Sequence, residues 1–233
     1  DWGTNFGALI CAYFHWGDDK KIKANPVVEL KNLYVHFFEE AAKDENLLNE
    51  SINSQQYPIL RFYGWSEPTL TLGRNQPLTG INKKYCNQHN IKIVKRPTGG
   101  RALLHDNEIT YSFIAPVSFL KNGKSVMDSY REISKCLIAG FKMLDIELSF
   151  PEYKKISPKG GYCMSLSTGS DLSYKGKKFI GSAQLRKNEY ILQHGSIIIN
   201  INKHLLTELF GIETCFDNFI SLNEINSEIT NIE

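Results

Sequence analysis

Residues 96–116 read RPTGGRALLHDNEITYSFIAP, a Pro-Thr-Gly-Gly bend between Arg96 and Arg101 that leads into an alternating pattern at Ile109, Tyr111 and Phe113. Such alternation marks a β-strand with one face turned to a core. Gly99 and Gly100 reach positive φ without penalty and, lacking Cβ atoms, let a ligand come close to the main chain. Exposed amides flanked by arginines suit a carboxylate, a phosphate or a polarised carbonyl. A plain turn with two solvated arginines fits the same letters, since the turn is glycine's commonest use. The bend alone leaves both readings open.

On either side of the bend, Ile91 to Lys95 and Ala102 to His105 read as strands. Upstream, PILRFYGWSEPTLTLGRNQ holds two short apolar runs broken at Gly64 and Glu67-Pro68, which predicts a hairpin. The spacing of Val27, Leu30, Leu33, Val35, Phe37, Phe38 and Ala41 predicts a helix from Pro26 to about Asn49. Asn82 to His89 predicts a short helix. Downstream, Ser125 is an N-cap for a helix to Leu144, with an apolar stripe of Val126, Tyr130, Ile133, Leu137, Phe141 and Leu144. A glycine-rich stretch from Ser157 to Ser170 precedes strands at Lys178 to Leu185 and Tyr190 to Asn200, joined by a turn at Arg186 to Glu189. A short helix at His204 to Phe210 follows. Strand runs without regular βαβ alternation indicate an α+β fold with a mixed, largely antiparallel sheet. Helices are expected on one face, leaving the other for a cleft.

Of the 233 residues, 42% are hydrophobic and 22% charged, and 27 basic against 25 acidic residues give a net charge of +2. A nucleic-acid binder would carry a basic stripe with interleaved aromatics. Here the cations fall in short clusters such as Lys20-Lys21, Lys83-Lys84, Lys154-Lys155 and Lys177-Lys178, so nucleic acid is not expected, and the charge balance leaves room for a local basic patch that docks an acidic partner. The five cysteines, Cys11, Cys86, Cys136, Cys163 and Cys215, form no CxxC pair or metal spacing. Free thiols fit a reducing, cytoplasmic setting, with no metal or cofactor. No apolar run reaches the ~18 residues of a membrane span. The apolar segment Phe6 to Trp16 has no basic run before it, so a secretory signal is not expected. The sequence opens on Asp1 and not on methionine, which leaves open whether its ends are native or set by processing.

Cys163 stands out among the thiols. It lies in the glycine-rich stretch, whereas Cys136 falls in an amphipathic helix as a small core residue. A nucleophilic cysteine needs exposure and a nearby cation, for which Lys159, Lys177 and Lys178 are candidates, although most lone cysteines are inert. Alternation turns one of Lys177 and Lys178 toward the functional face of its strand, and a buried lysine is costly unless paired or employed on an anion or carbonyl. A solvated strand end is the ordinary reading of such a pair. His194 and Gly195 sit mid-strand, where glycine marks close backbone approach and the histidine reads as a hydrogen-bonded structural residue. His105 and Asp106 are adjacent strand residues on opposite faces, which argues against a catalytic pair.

Taken together, four blocks in order carry a family resemblance: the helix ending AAKDENLLN, then LRFYGWSEPTLTLGRNQ, RPTGGRALLHDNEITYSF and GKKFIGSAQLRKNEYILQHGSIII. The chain resembles the biotin/lipoate protein ligase and transferase superfamily over roughly Phe38 to Glu224, and is most similar to its cysteine-dependent LipM-type octanoyltransferases. The resemblance implies the biotin/lipoyl protein ligase catalytic-domain fold, with one catalytic domain at 26–233 after an unassigned segment 1–25. It makes Cys163 the residue that forms an acyl thioester and Lys178 the lysine at the acyl carbonyl. It assigns substrate binding to Arg96, Thr98, Gly99, Gly100, Arg101, His105, Gly181, Ser182, Ala183, His194 and Gly195. The implied donor is octanoyl-acyl carrier protein. The implied acceptor is a lipoyl-domain protein such as glycine cleavage H protein or a 2-oxoacid dehydrogenase E2. Ser167, Thr168, Gly169 and Ser170 replace the family's usual Pro-Ser-x-Tyr. An ATP-dependent lipoate–protein ligase and a non-catalytic acyl- or carrier-binding paralogue are the alternatives. The ligases more often carry a third glycine where Arg101 stands, which favours the transferase.

Overall fold

A computed structural model describes residues 34–35, 41–54, 58–151, 169–211 and 216–230. Nine strands form two sheets among the described residues. They are β1 (Tyr34–Val35), β2 (Ile59–Tyr63), β3 (Thr69–Leu72), β4 (Lys92–Lys95), β5 (Leu103–His105), β6 (Glu108–Pro116), β7 (Leu172–Tyr174), β8 (Lys177–Lys187) and β9 (Tyr190–Ile198). The larger sheet runs β1-β2-β6-β9-β8-β7 and is antiparallel except for the β1–β2 pair. The smaller runs β4-β3-β5, parallel then antiparallel. The helices are α1 (Ala41–Ser54), α2 (Lys83–Gln88), α3 (Val126–Lys142), α4 (Lys203–Phe210) and α5 (Leu222–Thr230). The mixed, largely antiparallel α+β architecture is the one the sequence predicts.

Alternation along β6 decides what each face of the large sheet meets. Tyr111, Phe113 and Ala115 join Phe62, Ile180 and Ile197 in a core closed by Ile133, Cys136, Leu137 and Phe141 of α3. Phe141 meets Phe179 edge-on at 5.1 Å. Each of these large side chains contributes about 1.5–3 kcal/mol by leaving water. On the opposite face Ile114 packs with Ile59, Leu192 and Leu48 of α1. Helix α1 thus covers part of the second face, and His194, on that same face, meets the bend. The small sheet has its own core, in which Leu70, Leu72, Leu103 and Leu104 pack with Cys86 of α2, Leu206 and Leu209 of α4, and Ile198 at the end of β9.

Elements near the bend match expectation closely. Strands β4 and β5 flank it, although each pairs with β3 and not with the other. Ser125 caps α3, accepting from Asp128 N, and Asn82 caps α2. Asn188 and Glu189, both at positive φ, make the turn between β8 and β9.

Two expectations fail. The predicted hairpin at 58–76 is absent, because β2 pairs with β6 in one sheet while β3 is completed by β4 and β5 in the other. Local alternation reports a strand but not its partner. The helix predicted from Pro26 gives way to strand at Tyr34–Val35, and α1 starts at Ala41; residues 26–33 and 36–40 lie outside the described residues. Helix α5 had no counterpart in the sequence reading, yet its signal was there. Ser221 and Glu224 form a capping box, with Glu224 Oε2 accepting from Ser221 N at 2.9 Å and Ser221 Oγ accepting from Glu224 N at 3.3 Å.

Candidate active site

The Pro97–Gly100 bend is gripped from two sides by buried polar groups. Arg96, 6% exposed, turns back under it. Its Nη2 donates to Gly99 O at 3.0 Å and Arg101 O at 2.7 Å, and its Nη1 donates to Thr71 O at 3.2 Å and Thr71 Oγ1 at 3.0 Å. Arg96 fixes the bend. Thr71 Oγ1 also meets His105 Nε2 at 2.8 Å, and His105 Nδ1 meets Glu108 Oε1 at 2.7 Å. Trp65 stacks on the His105 ring with centroids 4.1 Å apart and donates to Thr110 Oγ1 at 2.9 Å. Glu108 also accepts from Thr110 Oγ1 and from Ser196 Oγ. Burial pushes the Glu108 carboxyl up; attraction to His105 and the hydrogen bonds from His105, Ser196 and Thr110 outweigh it and leave the group below its ordinary value. Asp106 turns elsewhere, accepting from Asn202 Nδ2, so His105-Asp106 is not a pair, as alternation predicts.

On the other side, Thr98 Oγ1 meets His194 Nε2 at 2.7 Å, and His194 Nδ1 meets Asp44 Oδ2 of α1 at 3.3 Å. Asp44, wholly buried, also accepts from Arg61 Nη1 and from Tyr63 OH. The bend is therefore tied to α1 through a strand of the large sheet. Its two glycines differ. Gly100 sits at φ +96, and a Cβ there would lie 2.8 Å from Arg96 Nη2; Gly99 has nothing within 4 Å of a Cβ position. Gly73, unmarked in the sequence reading, supports the bend from beneath, since a Cβ on it would strike Gly100 O at 1.9 Å.

Lys178 is 2% exposed and Lys177 is exposed, so one of the pair turns inward as alternation requires, and it is the one that the resemblance named. Between β7 and β8 the register slips. Ser173 opposes Lys178 but Leu172 opposes Ile180, leaving Phe179 as a bulge. Lys178 Nζ pairs with Asp171 Oδ2 at 3.0 Å, both side chains being 2% exposed. The other carboxylate oxygen of Asp171 accepts from Ser182 N at 3.3 Å, so one acid fixes the lysine and the strand beyond the bulge.

His194 and Gly195, adjacent on β9, serve opposite faces. His194 meets the bend, whereas a Cβ on Gly195 would lie 2.5 Å from Tyr111 Cε1, 2.6 Å from Gly181 O and 2.9 Å from Ser182 Oγ. Tyr111 OH accepts from Gln193 Nε2 at 3.0 Å and lies 2.7 Å from Ser182 Oγ. Burial pushes its phenol up to about 12, so it keeps its proton. The chain of bonds continues through Gln193, Gln184 and Ser129 to Arg186. Ala183 lies opposite His194 and Gly181 opposite Ser196, so β9 joins the Lys178 half of the site to the bend half. Cys163 lies outside the described residues. Cys136 is the buried core thiol expected.

Three comparisons bear on this arrangement. Residues 36–233 match the family described as "Lipoyl protein ligase A/B catalytic domain". Octanoyltransferase LipM of Carboxydothermus hydrogenoformans is 42% identical over 165 residues, covering 70% of this chain and 61% of that protein. Octanoyltransferase LipM of Geobacillus kaustophilus is 38% identical over 177 residues, covering 72% and 64%. The chain thus spans less than two thirds of the length of these relatives. Among solved structures, protein Ta0514 of T. acidophilum with bound lipoic acid superposes with a TM-score of 0.61 at 17% identity, covering 86% of this chain and 82% of that one. That likeness speaks to the fold.

Proposed function

Because the chain belongs to the lipoyl protein ligase A/B catalytic domain family, we propose that it is a protein N-octanoyltransferase of lipoate biosynthesis. It would act as a single catalytic domain in the cytoplasm, taking octanoyl groups from acyl carrier protein and delivering them to a lysine of a lipoyl-domain protein. The observation that carries the chemistry is the buried Lys178–Asp171 pair. Asp171 offsets the cost of burying the cation and fixes its position, and a lysine held so rigidly away from water is suited to the negative charge that acyl transfer develops on the carbonyl oxygen.

Two steps follow. The Cys163 thiolate attacks the donor thioester, the bond from the carbonyl carbon to the carrier sulfur breaks, and that sulfur leaves as a thiol with the proton Cys163 gave up. The amine of the acceptor lysine then attacks the Cys163 thioester. The carbon–sulfur bond breaks, an amide forms, and the nitrogen's surplus proton restores the thiol. Lys178 holds the oxyanion in each step and favours the Cys163 thiolate. Exchange of one thioester for another is nearly balanced and amide formation is downhill, so no ATP is consumed. The open side of the bend at Gly99 gives the octanoyl chain a wall without side chains, each methylene leaving water contributing about 0.8 kcal/mol.

Incubation with octanoyl-acyl carrier protein followed by intact mass measurement tests the reading. The expected result is a hydroxylamine-labile octanoyl adduct that is lost in Cys163→Ser. Adduct formation only with ATP and free acid would make the protein a ligase, and none under either condition would make it a binding paralogue.

A further inference from the structure

From the turn after β6 into the first turn of α3 the chain holds Phe119, Val126 and Met127 out at 38%, 54% and 44% exposure. Exposed Lys121 and Lys124 lie between them in sequence, and exposed Arg131 follows on α3. Asp128 is the one acidic side chain over 117–131. The next, Glu132, is taken up by the amides of Lys121 and Asn122, accepting at 2.9 and 3.1 Å. The turn is also rigid. Arg186 of β8 donates to the carbonyls of Gly123 at 2.6 Å, Lys124 at 3.0 Å and Ser125 at 3.0 Å. Leu120 of this turn is buried in the large core and Phe119 leans on Phe113 with ring centroids 6.1 Å apart, but Val126 and Met127 are held out with much of their apolar surface in water, and such patches mark contact surfaces.

The patch reaches the segment that leads to the buried ion pair. Met127 Cε lies 3.6 Å from a Cβ position on Gly169, two residues before Asp171, the partner of Lys178. The chain as a whole is almost neutral at +2, so a local excess of lysine and arginine beside apolar side chains is what would steer a negatively charged protein. We propose that this turn is the docking surface for the acyl donor, a small acidic carrier protein that brings its octanoyl thioester on a flexible arm. The proposal rests on the acyl-transfer reading above.

Direct binding separates the two. The Cys163→Ser chain, which cannot form a thioester, is titrated with octanoylated carrier protein by fluorescence anisotropy at low and high salt. Lys121→Glu/Lys124→Glu should weaken binding about 10-fold and flatten its salt dependence. Val126→Asp/Met127→Asp should weaken binding at both salt concentrations. In the Cys163 background, both pairs should keep the parent melting temperature and the parent rate with octanoyl-pantetheine, which has no carrier to dock. Carrier binding unchanged in both variants would overturn the proposal, as would absence of carrier binding by the parent. A loss confined to lipoyl-domain binding would overturn it too, by giving the surface to the acceptor. Failure of the parent to transfer from octanoyl-pantetheine would count against acyl transfer, while the titration still decides the docking surface.

Discussion

Replacing Asp171 by asparagine changes one oxygen of a buried ion pair and little of its shape. The asparagine carbonyl can still accept from Ser182 N, now 3.3 Å from the carboxylate. What disappears is the counter-charge 3.0 Å from Lys178 Nζ, where both side chains are 2% exposed. Removing one partner of a buried pair costs about 3–5 kcal/mol, because the other charge is left in a medium that does not solvate it. For a chain of this size that corresponds to a fall in melting temperature of roughly 6–20 °C. The ammonium left behind either stays charged at that cost or gives up its proton. In both cases acyl transfer suffers, and losing an oxyanion donor lowers kcat by about 10²–10³-fold. The double variant Asp171→Asn/Lys178→Met separates stability from chemistry, since it removes both charges and should recover most of the melting temperature with no recovery of turnover. Calorimetric melting and single-turnover acyl-enzyme formation read the two quantities. If Asp171→Asn melts and turns over like the parent, Lys178 does not depend on Asp171, and the argument from the ion pair is wrong.

The bend supplies a matched pair of tests. Gly99→Ala meets no protein atom within 4 Å and should melt within about 2 °C of the parent, since surface changes of this kind stay near ±0.5 kcal/mol; slowed transfer would then report substrate lying there, and unchanged transfer would remove Gly99 from the pocket wall. Gly73→Ala drives a Cβ to 1.9 Å from Gly100 O, so it should lose about 1–3 kcal/mol by overpacking and shift the bend; unaltered melting would contradict the packing described. Glu108, held below its ordinary value of 4.5, contributes stability that is fully present above that pH and is lost as pH falls through the lower folded-state value. Glu108→Gln should therefore be less stable than the parent at neutral pH and should close that gap on acidification below about 4.5, as urea midpoints across pH will show; a gap that stays constant would mean that Glu108 titrates alike folded and unfolded.

What the sequence disclosed and what it withheld divide along the range of the interactions. Alternation showed that one of Lys177 and Lys178 must turn inward, as Lys178 does, because strand periodicity is a property of neighbours. Strand β7 was legible in principle and was not recognised. Lys175 and Gly176, at φ +47 and +80, make a two-residue turn that sets Tyr174 opposite Lys177. That turn returns the chain so that Asp171 reaches Lys178. Asp44 carries no such sign. It meets His194 across 150 positions, and nothing in AAKDENLLN tells a buried acid on a helix from a solvated one. Glu108 is hidden in the same way, since three of its partners (His105, Thr110 and Ser196) come from three strands. The failed hairpin has a related cause, for β2 and β3 are adjacent in sequence and belong to different sheets.

Arg96, Asp44, Glu108 and Lys178 are all charged residues placed where water scarcely reaches. Arg96 and Lys178 keep 6% and 2% of their exposure, Asp44 is wholly buried, and the Glu108 side chain is 4% exposed. Well-packed hydrophobic residues in such places are often no less stable than ion pairs, so fold stability alone does not account for them. Their geometry does. Arg96 turns under the bend and holds two of its carbonyls, and Asp44 orients the histidine that meets Thr98. Glu108 orients the histidine beside Thr71, which in turn receives Arg96. Asp171 positions Lys178. Each buried acid thus sets the direction of a side chain that reaches the bend or the acyl carbonyl of the proposed reaction. A bend with one glycine locked at positive φ and the other open needs that rigidity, because a wall without side chains can select a chain and a carbonyl only if it does not move.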